Sequence, residues 1–195
     1  MHDWKRTVFL IVLMGLQFIP LPGRADPVTD RLAGVLADLD AVSAADLETP
    51  SRAAAFLQIV ARAFDLDRMA LASLSPEDLP EPEAWDAYQD AYLSHTVQTF
   101  LQKLAAYGPT VSTPVGLRIA QDGAQVFVFR SQAGGRTTQM GWVLCPDGSL
   151  RICDVEIYGI RASSYQGRQF ARALARLGWE GFLADLQGGA LVPPG

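Results

Sequence analysis

Few side chains of this sequence have the types and spacing that catalysis requires. After residue 25 the chain contains one histidine, His95, in the middle of a helical pattern and without a placed partner. No nucleophile elbow, phosphate-binding glycine loop or dinucleotide fingerprint occurs. A lone helical histidine is more often structural or surface-exposed than catalytic. The sequence therefore predicts a protein that is not an enzyme, and a Ser–His–Asp arrangement is an alternative that no motif supports.

Two carboxylates suggest an alternative function in acid–base catalysis. Asp154 and Glu156 are two residues apart where polar and apolar residues alternate, so a strand would place both on one face. Paired carboxylates in an apolar cavity can exchange protons with a substrate. We favour a solvated face or ion pairs with arginines of neighbouring strands, namely Arg118, Arg130 or Arg151. A buried Asp154 acting as the base of a small exported isomerase or hydratase is the alternative function.

The two cysteines of the chain flank a predicted turn. Cys145 and Cys153 lie on either side of the segment Pro146-Asp147-Gly148-Ser149. In an oxidising compartment this pair is a candidate disulfide, whereas the wrong strand register would leave two unpaired thiols. Two cysteines and one distant histidine do not complete the four ligands of a zinc site, so no metal is expected.

Three arginines form a basic stripe near the C-terminus. Arg168, Arg172 and Arg176 recur every fourth residue, so they share one face of a helix. We interpret this as a solvated face opposite Phe170 and Leu174. The alternative is a docking surface for an acidic partner or for lipid head groups.

Residues 1–25 have the features of a secretory signal peptide. Lys5 and Arg6 precede an apolar run of 12 residues, 8–19, and Gly23-Arg24-Ala25 matches a small-x-small cleavage site. The run is shorter than the ~20 residues that span a bilayer, and an uncleaved anchor is the alternative. Cleavage removes three basic residues and one acidic residue, which changes the net charge from −5 to −7. An acidic mature protein argues against binding to nucleic acid and to anionic lipid surfaces.

The mature chain begins with helices and continues with strands. Apolar residues recur at helical spacing in four segments before Gly108. These helices are predicted at 28–42, 50–64, 66–74 and from the proline-rich connection 75–82 to Tyr107. Alternation then predicts four strands, separated by short turns that contain glycine, at 110–119, 125–131, 137–144 and 150–158. A helix capped by Ser163 or Ser164 and ended by Gly178, and a second one ended by Gly188, complete an α+β fold.

The C-terminal segment resembles the MlaC family, also called the toluene-tolerance or Ttg2-type family. The residues that carry the resemblance are Asp154-Val155, Ile157, Gly159-Ile160, Gln169-Phe170, Gly178, Gly181-Phe182-Leu183 and Leu186. Three positions depart from the family pattern. Leu150 replaces a tryptophan, Arg161 replaces a serine, and Gln166-Gly167 replace Tyr-Arg.

This resemblance implies a fold and a function. The fold would be a four-stranded antiparallel curved sheet, wrapped by N- and C-terminal helices around an apolar pocket, in one domain over 26–188 with a tail over 189–195. The protein would be a periplasmic, monomeric phospholipid carrier. It would exchange its cargo with an outer-membrane lipoprotein/porin complex and an inner-membrane ABC transporter that has an MCE-domain subunit. No cofactor other than the bound lipid is expected, and a hopanoid or sterol-type binder is an alternative.

The resemblance also suggests which residues contact the lipid. The expected pocket lining is apolar and comes from the long helix and the strands: Tyr92, Phe100, Phe127, Phe129, Trp142, Val155, Ile157 and Ile160. Simple core packing is the alternative role for the aromatic residues of the long helix. Arg161 would extend the docking surface of the basic stripe.

Overall fold

The computed structural model describes residues 26–191, so the predicted signal peptide and the end of the tail lie outside the described residues. The helices are α1 (Pro27–Ala44), α2 (Thr49–Ala63), α3 (Leu66–Ala72), α4 (Pro82–Tyr107) and α5 (Ala162–Gln187), with a 3₁₀ turn at Pro76–Asp78. The strands are β1 (Val111–Ile119), β2 (Gln125–Ala133), β3 (Arg136–Leu144), β4 (Ile152–Ile157) and β5 (Ile160–Arg161).

The helix boundaries follow from local chemistry. Asp65 caps α3, since its side chain accepts a hydrogen bond from the Arg68 N–H at 3.2 Å. Pro82 lies in the first turn of α4, where its missing N–H costs nothing. Gly108 ends α4 with φ 76°, a conformation that glycine adopts without strain. In the part of the chain that the structure describes, no helix is long and apolar enough to cross a membrane.

The sheet is antiparallel and has the order β1-β2-β3-β4-β5. The α+β prediction is confirmed, but the prediction of four strands is wrong because the short strand β5 pairs with β4. The turn between them is made by Tyr158 and Gly159, with φ values of 51° and 80°. Leu150 also has a positive φ, 58°, so left-handed residues stand on both sides of β4 and make it shorter than predicted.

The start of α5 differs from the prediction. The helix begins at Ala162, and neither Ser163 nor Ser164 caps it. Instead, the Ser163 N–H donates to Asp154 Oδ1 at 3.2 Å and the Ser163 hydroxyl donates to Asp154 Oδ2 at 2.5 Å. The cap therefore comes from β4, eight residues before the helix. Gly178 interrupts the helix with φ 68° and ψ −179°, where the sequence predicted a helix end.

The two faces of the sheet have different roles. We call the face that carries Phe127, Phe129 and Trp142 the inner face, because these buried side chains pack in the main core with α1 to α5. Val126, Val128 and Val143 lie on the opposite, outer face in a smaller apolar cluster. Alternation along β2 and β3 thus fills both faces, and the main core lies between the inner face and the helices.

Candidate functional site

An apolar row crosses the inner face of the sheet from edge to edge. Strand register aligns Pro114, Phe129, Met140, Ile157 and Ile160, one residue from each strand. Directly paired residues of antiparallel strands point to the same face, so these side chains adjoin one another. Phe129 is 3% exposed at the centre, whereas Ile157 and Ile160 are 45% and 60% exposed at one edge. We call this set the inner row, and it leads from the core to solvent.

A second row lies beside the first and is more deeply buried. Phe127, Trp142 and Val155 are paired across β2, β3 and β4. The Trp142 ring lies 4.9 Å from the Phe129 ring and 5.7 Å from the Phe64 ring, measured between centroids. Edge-to-face contacts of this kind stabilise a dense aromatic cluster.

The helices close this cluster from the other side. Phe56 of α2 and Phe100 of α4 stack with centroids 4.1 Å apart. Tyr92 is buried, its hydroxyl donates to Gln166 Oε1 at 3.4 Å, and burial raises its pKa to about 12. His95 is 2% exposed, and burial lowers its pKa to about 4. Both side chains are therefore uncharged at neutral pH.

The structure places the eight predicted pocket residues around one core. Tyr92, Phe127, Phe129 and Trp142 are buried in it, and Phe100 and Val155 are partly buried against it. Ile157 and Ile160 lie at its exposed edge. The sequence analysis missed Met140, which links Phe129 to Ile157, although the register of a tight β2–β3 hairpin could have indicated it. That these residues contact a lipid stays a prediction.

The outer face holds a network of charges that the sequence indicated only in part. Glu156 is 3% exposed and pairs with Arg118, as anticipated. Its second partner is Arg161, at 3.1 Å, and Arg161 also reaches Asp122 at 2.9 Å. Gly141 lies beneath Glu156, and a Cβ there would come within 2.6 Å of a valine methyl group. The network therefore ties β1, β4, β5 and the β1–β2 turn together.

The other suggested arginines are distributed differently. Arg151 lies 4.0 Å from Asp65 and donates to the Phe64 carbonyl, so it does not pair with the strand carboxylates. Arg130 forms no ion pair with them within residues 26–191. A solvated face was the other expectation for Asp154 and Glu156, and it is wrong, since both are buried.

The basic stripe lies on the exposed side of α5. Arg168, Arg172 and Arg176 are all exposed, and Arg176 approaches Asp185 at 3.9 Å. Arg161, by contrast, has a side chain only 22% exposed and is engaged with two carboxylates. The structure thus separates Arg161 from the other three, and the docking role of these four arginines stays a prediction.

Cys145 and Cys153 form a disulfide with a Cα–Cα distance of 5.1 Å. The bond closes the β3–β4 turn and lines a groove of about 670 Å³, together with Asp154, Arg161 and Arg68. Both oxygens of Asp154 accept hydrogen bonds from Ser163, and Oδ1 also accepts one from the Val155 N–H at 2.7 Å. The arrangement explains Asp154 as a helix cap.

Comparisons with known proteins agree with this architecture. The structure is similar to that of the phospholipid-binding protein from Ralstonia solanacearum in complex with a phospholipid, with a TM-score of 0.63 and 20% sequence identity. The similarity covers 85% of this chain and 99% of that chain and shows a shared fold. A search of curated proteins gives no match. The model of the family described as MlaC protein matches residues 28–188, and this chain therefore belongs to the MlaC family.

Proposed function

We propose that this protein is a periplasmic phospholipid carrier that holds acyl chains against the inner face of its sheet. The observation that carries the proposal is the inner row, which is apolar from Pro114 to Ile160 and reaches solvent at both ends. Four strand spacings of about 4.8 Å give the row a length of about 19 Å. One leaflet of a bilayer core is about 15 Å thick, half of ~30 Å. The row is therefore long enough for an acyl chain.

The comparisons support the proposal. The chain belongs to the MlaC family. The Ralstonia solanacearum protein, which shares the fold, is described in complex with a phospholipid. On this view the cargo enters the space between the sheet and the helices. The core side chains of this chain occupy the same space.

The transfer of acyl chains from water into the core is energetically favourable. Each methylene that leaves water contributes about 0.8 kcal/mol. Chains that enter must separate rings now in contact, such as Phe129 and Trp142 or Phe56 and Phe100. Contacts between rings are then replaced by contacts between rings and chains, so the interior loses little dispersion energy. The polar head group stays outside the apolar core, because burying it without partners is costly.

The partners follow from the same proposal. We infer that residues 1–25 direct export, that residues 26–188 form one lipid-binding domain, and that the protein acts as a monomer without a cofactor. Cargo would pass between an outer-membrane lipoprotein/porin complex and an inner-membrane ABC transporter with an MCE-domain subunit. Arg168 and Arg172 are the best docking candidates, because Arg161 and Arg176 already face carboxylates of this chain. A sterol-type ligand is the alternative cargo, since the core is apolar throughout.

The hydrogen bonds of Asp154 argue against the catalytic alternative, although this carboxylate lines a groove. Asp154 is 7% exposed, and its hydrogen bonds to Ser163 and Val155 account for its burial. A general base needs a free oxygen within reach of a substrate proton. We therefore propose a binding role and no reaction.

The test is native mass spectrometry of the protein exported with its own signal, followed by lipid analysis of the extract. We expect a defined stoichiometry of co-purified phospholipid. A protein that carries no lipid and takes up none from vesicles would refute the proposal. Recovery of a single planar lipid would favour the sterol-type alternative.

A matched pair of variants tests the inner row. Ile160→Asp places a carboxylate at the exposed end of the row, whereas Val111→Asp places one on the outer face of β1 at a similar exposure, 64% against 60%. We expect lipid occupancy to fall in the first variant and to stay unchanged in the second. Equal occupancy of the two variants would show that the row does not hold the chains.

A further inference from the structure

The turn between β4 and β5 exposes large apolar side chains. Ile157, Tyr158 and Ile160 are 45%, 66% and 60% exposed, and Tyr165 near the start of α5 is 44% exposed. Single exposed apolar residues are normal on a protein surface, whereas groups of them mark interaction sites. Four such side chains within nine residues form a group of this kind. We call these four residues the apolar tip.

Hydrogen bonds to β3 hold the tip in place. The Tyr158 N–H donates to the Gln139 carbonyl at 3.0 Å, and the Tyr158 hydroxyl donates to the Thr137 carbonyl at 3.2 Å. The ring is therefore exposed while its polar atom already has a partner in the protein. Moving this ring out of water into an apolar phase leaves no donor without an acceptor, so the usual cost of burying a hydroxyl is avoided.

The charge beside the tip has the opposite sign to that of the whole chain. Residues 157–179 contain four arginines and no acidic residue, in a chain with a net charge of −5. The two carboxylates just before this segment, those of Asp154 and Glu156, are buried. Asp154 accepts hydrogen bonds from Ser163, and Glu156 pairs with two arginines. The net charge of the chain, which argues against anionic lipid surfaces, therefore does not describe this part of the molecule.

The basic stripe of α5 begins at the tip. Tyr165, Arg168 and Arg172 follow one another at a spacing of three and four residues, so they share one face of the helix. All three are exposed. Within residues 26–191, neither Arg168 nor Arg172 forms an ion pair. Their guanidinium groups are therefore available to phosphate groups outside the protein.

The tip is continuous with the inner row. Ile157 and Ile160 are paired across β4 and β5 and form the exposed end of that row. A tip that enters the apolar part of a bilayer would bring the end of the row to the acyl chains there. A lipid could then pass between the bilayer and the protein without exposing its chains to water, which avoids the cost of hydrating them.

We propose that the apolar tip, together with Arg168 and Arg172, docks on the surface of an anionic lipid bilayer. Binding to such a surface grows with the apolar area that enters it and with the attraction between basic residues and anionic lipids. Tyrosine rings such as those of Tyr158 and Tyr165 favour the level of the head groups. Docking would hold the carrier beside the membrane complexes that exchange its cargo. The inference rests on the proposed carrier function for this purpose alone, because binding to vesicles is measured apart from lipid uptake.

The experiment measures how much of the protein, exported with its own signal, sediments with sucrose-loaded vesicles. One set of vesicles contains phosphatidylcholine alone, and the other contains equal parts of phosphatidylcholine and phosphatidylglycerol. The charge variant combines Arg168→Gln with Arg172→Gln. Its control combines Arg31→Gln with Arg130→Gln, two exposed arginines that also form no ion pair within residues 26–191.

A second pair of variants tests the apolar contribution. Tyr158→Ser shortens the tip, and its control is Ile119→Ser on the edge strand β1, where the side chain is 65% exposed against 66% for Tyr158. Thermal unfolding of each variant checks that it folds. Tyr165→Ser, which breaks no hydrogen bond to β3, takes the place of Tyr158→Ser if the latter unfolds.

We expect tighter binding to the anionic vesicles than to the neutral ones, and loss of this difference at high salt. Each arginine replaced in the stripe should weaken binding to the anionic vesicles about fivefold. The control arginine variant should weaken it far less. Tyr158→Ser should weaken binding to both kinds of vesicle about tenfold, whereas Ile119→Ser should leave it unchanged.

The outcomes separate this inference from the carrier function. Binding that both double variants weaken equally, or that the tyrosine variants leave unchanged, refutes the docking surface. A protein that carries phospholipid but does not sediment with vesicles also refutes it and leaves the carrier function standing, with a protein partner as the ligand of the stripe. A protein that sediments through the tip but carries no lipid supports the docking surface and refutes the carrier function.

Discussion

The ionisation of His95 tests how dry the interior is. Its side chain is buried on α4 with its ring 5.7 Å from that of Phe170, and burial lowers its pKa from 6.5 to about 4. Burial is the one cause of this change, with no contribution from a charged neighbour. In the unfolded chain the imidazole titrates near its ordinary pKa. Between the two pKa values the unfolded state binds more protons, so the free energy of unfolding falls as the pH falls.

The size of the loss follows from the two pKa values. Near pH 8 the imidazole is neutral in both states, and this contribution is about zero. At about pH 5.5 proton binding to the unfolded chain lowers the free energy of unfolding by about 1.4 kcal/mol. Below pH 4 the loss approaches about 3.4 kcal/mol, since each pKa unit corresponds to about 1.36 kcal/mol.

Urea unfolding at about pH 8 and pH 5.5 measures this loss. The protein that lacks residues 1–25 contains no other histidine, so His95→Gln is the matched control. We expect the unmodified protein to lose about 1.4 kcal/mol more than the variant between the two pH values. Equal losses would show that the imidazole is hydrated in the folded protein and would refute the dry interior.

Three further predictions concern stability. Replacing Cys145 and Cys153 by alanine opens a loop with a separation of 8 residues, which should cost about 2.5 kcal/mol and lower the Tm by about 5–10 °C in a thermal scan. Glu156→Gln should lower the free energy of unfolding by about 2 kcal/mol in urea unfolding. This is less than the cost of breaking a fully buried ion pair, because the Arg118 side chain is 40% exposed. Gly141→Ala should cost about 1–3 kcal/mol by the same assay, since the new methyl group has no room.

Each of these predictions has a control. Reductant should destabilise the unmodified protein and leave the cysteine-free variant unchanged. Asp38→Asn breaks the exposed pair with Arg62 and should cost less than 1 kcal/mol. Gly34→Ala should stabilise α1 by about 0.5–1 kcal/mol, because nothing lies within 4 Å of the new Cβ. A Gly141→Ala variant as stable as Gly34→Ala would contradict the packing described for the outer face.

Local chemistry made several features predictable. The hairpin turns, the cap at Asp65, the end of α4 at Gly108 and the break at Gly178 depend on residues close in sequence. The alternation from Leu150 to Ile157 predicted a strand, and the family resemblance in the same segment is confirmed by the match over residues 28–188.

Features that depend on distant residues were not predictable. Ser163 looked like a helix cap, but strand β4 brings Asp154 to the helix N-terminus and performs that role. Strand β5 is two residues long, too short for any periodic pattern to reveal it. The partners of Arg161 come from β4 and the β1–β2 turn, so its sequence neighbours gave no indication of them.

By itself, the sequence determined the order and type of the helices and of strands β1 to β4, and the family, because turn residues, periodicity and motifs act over short distances. Only the tertiary structure decided which face of each strand is the inner face. The alternation of side chains along a strand does not indicate which of its two faces is buried against the helices. Strand register identifies the inner face, because it aligns Phe129, Met140 and Ile157.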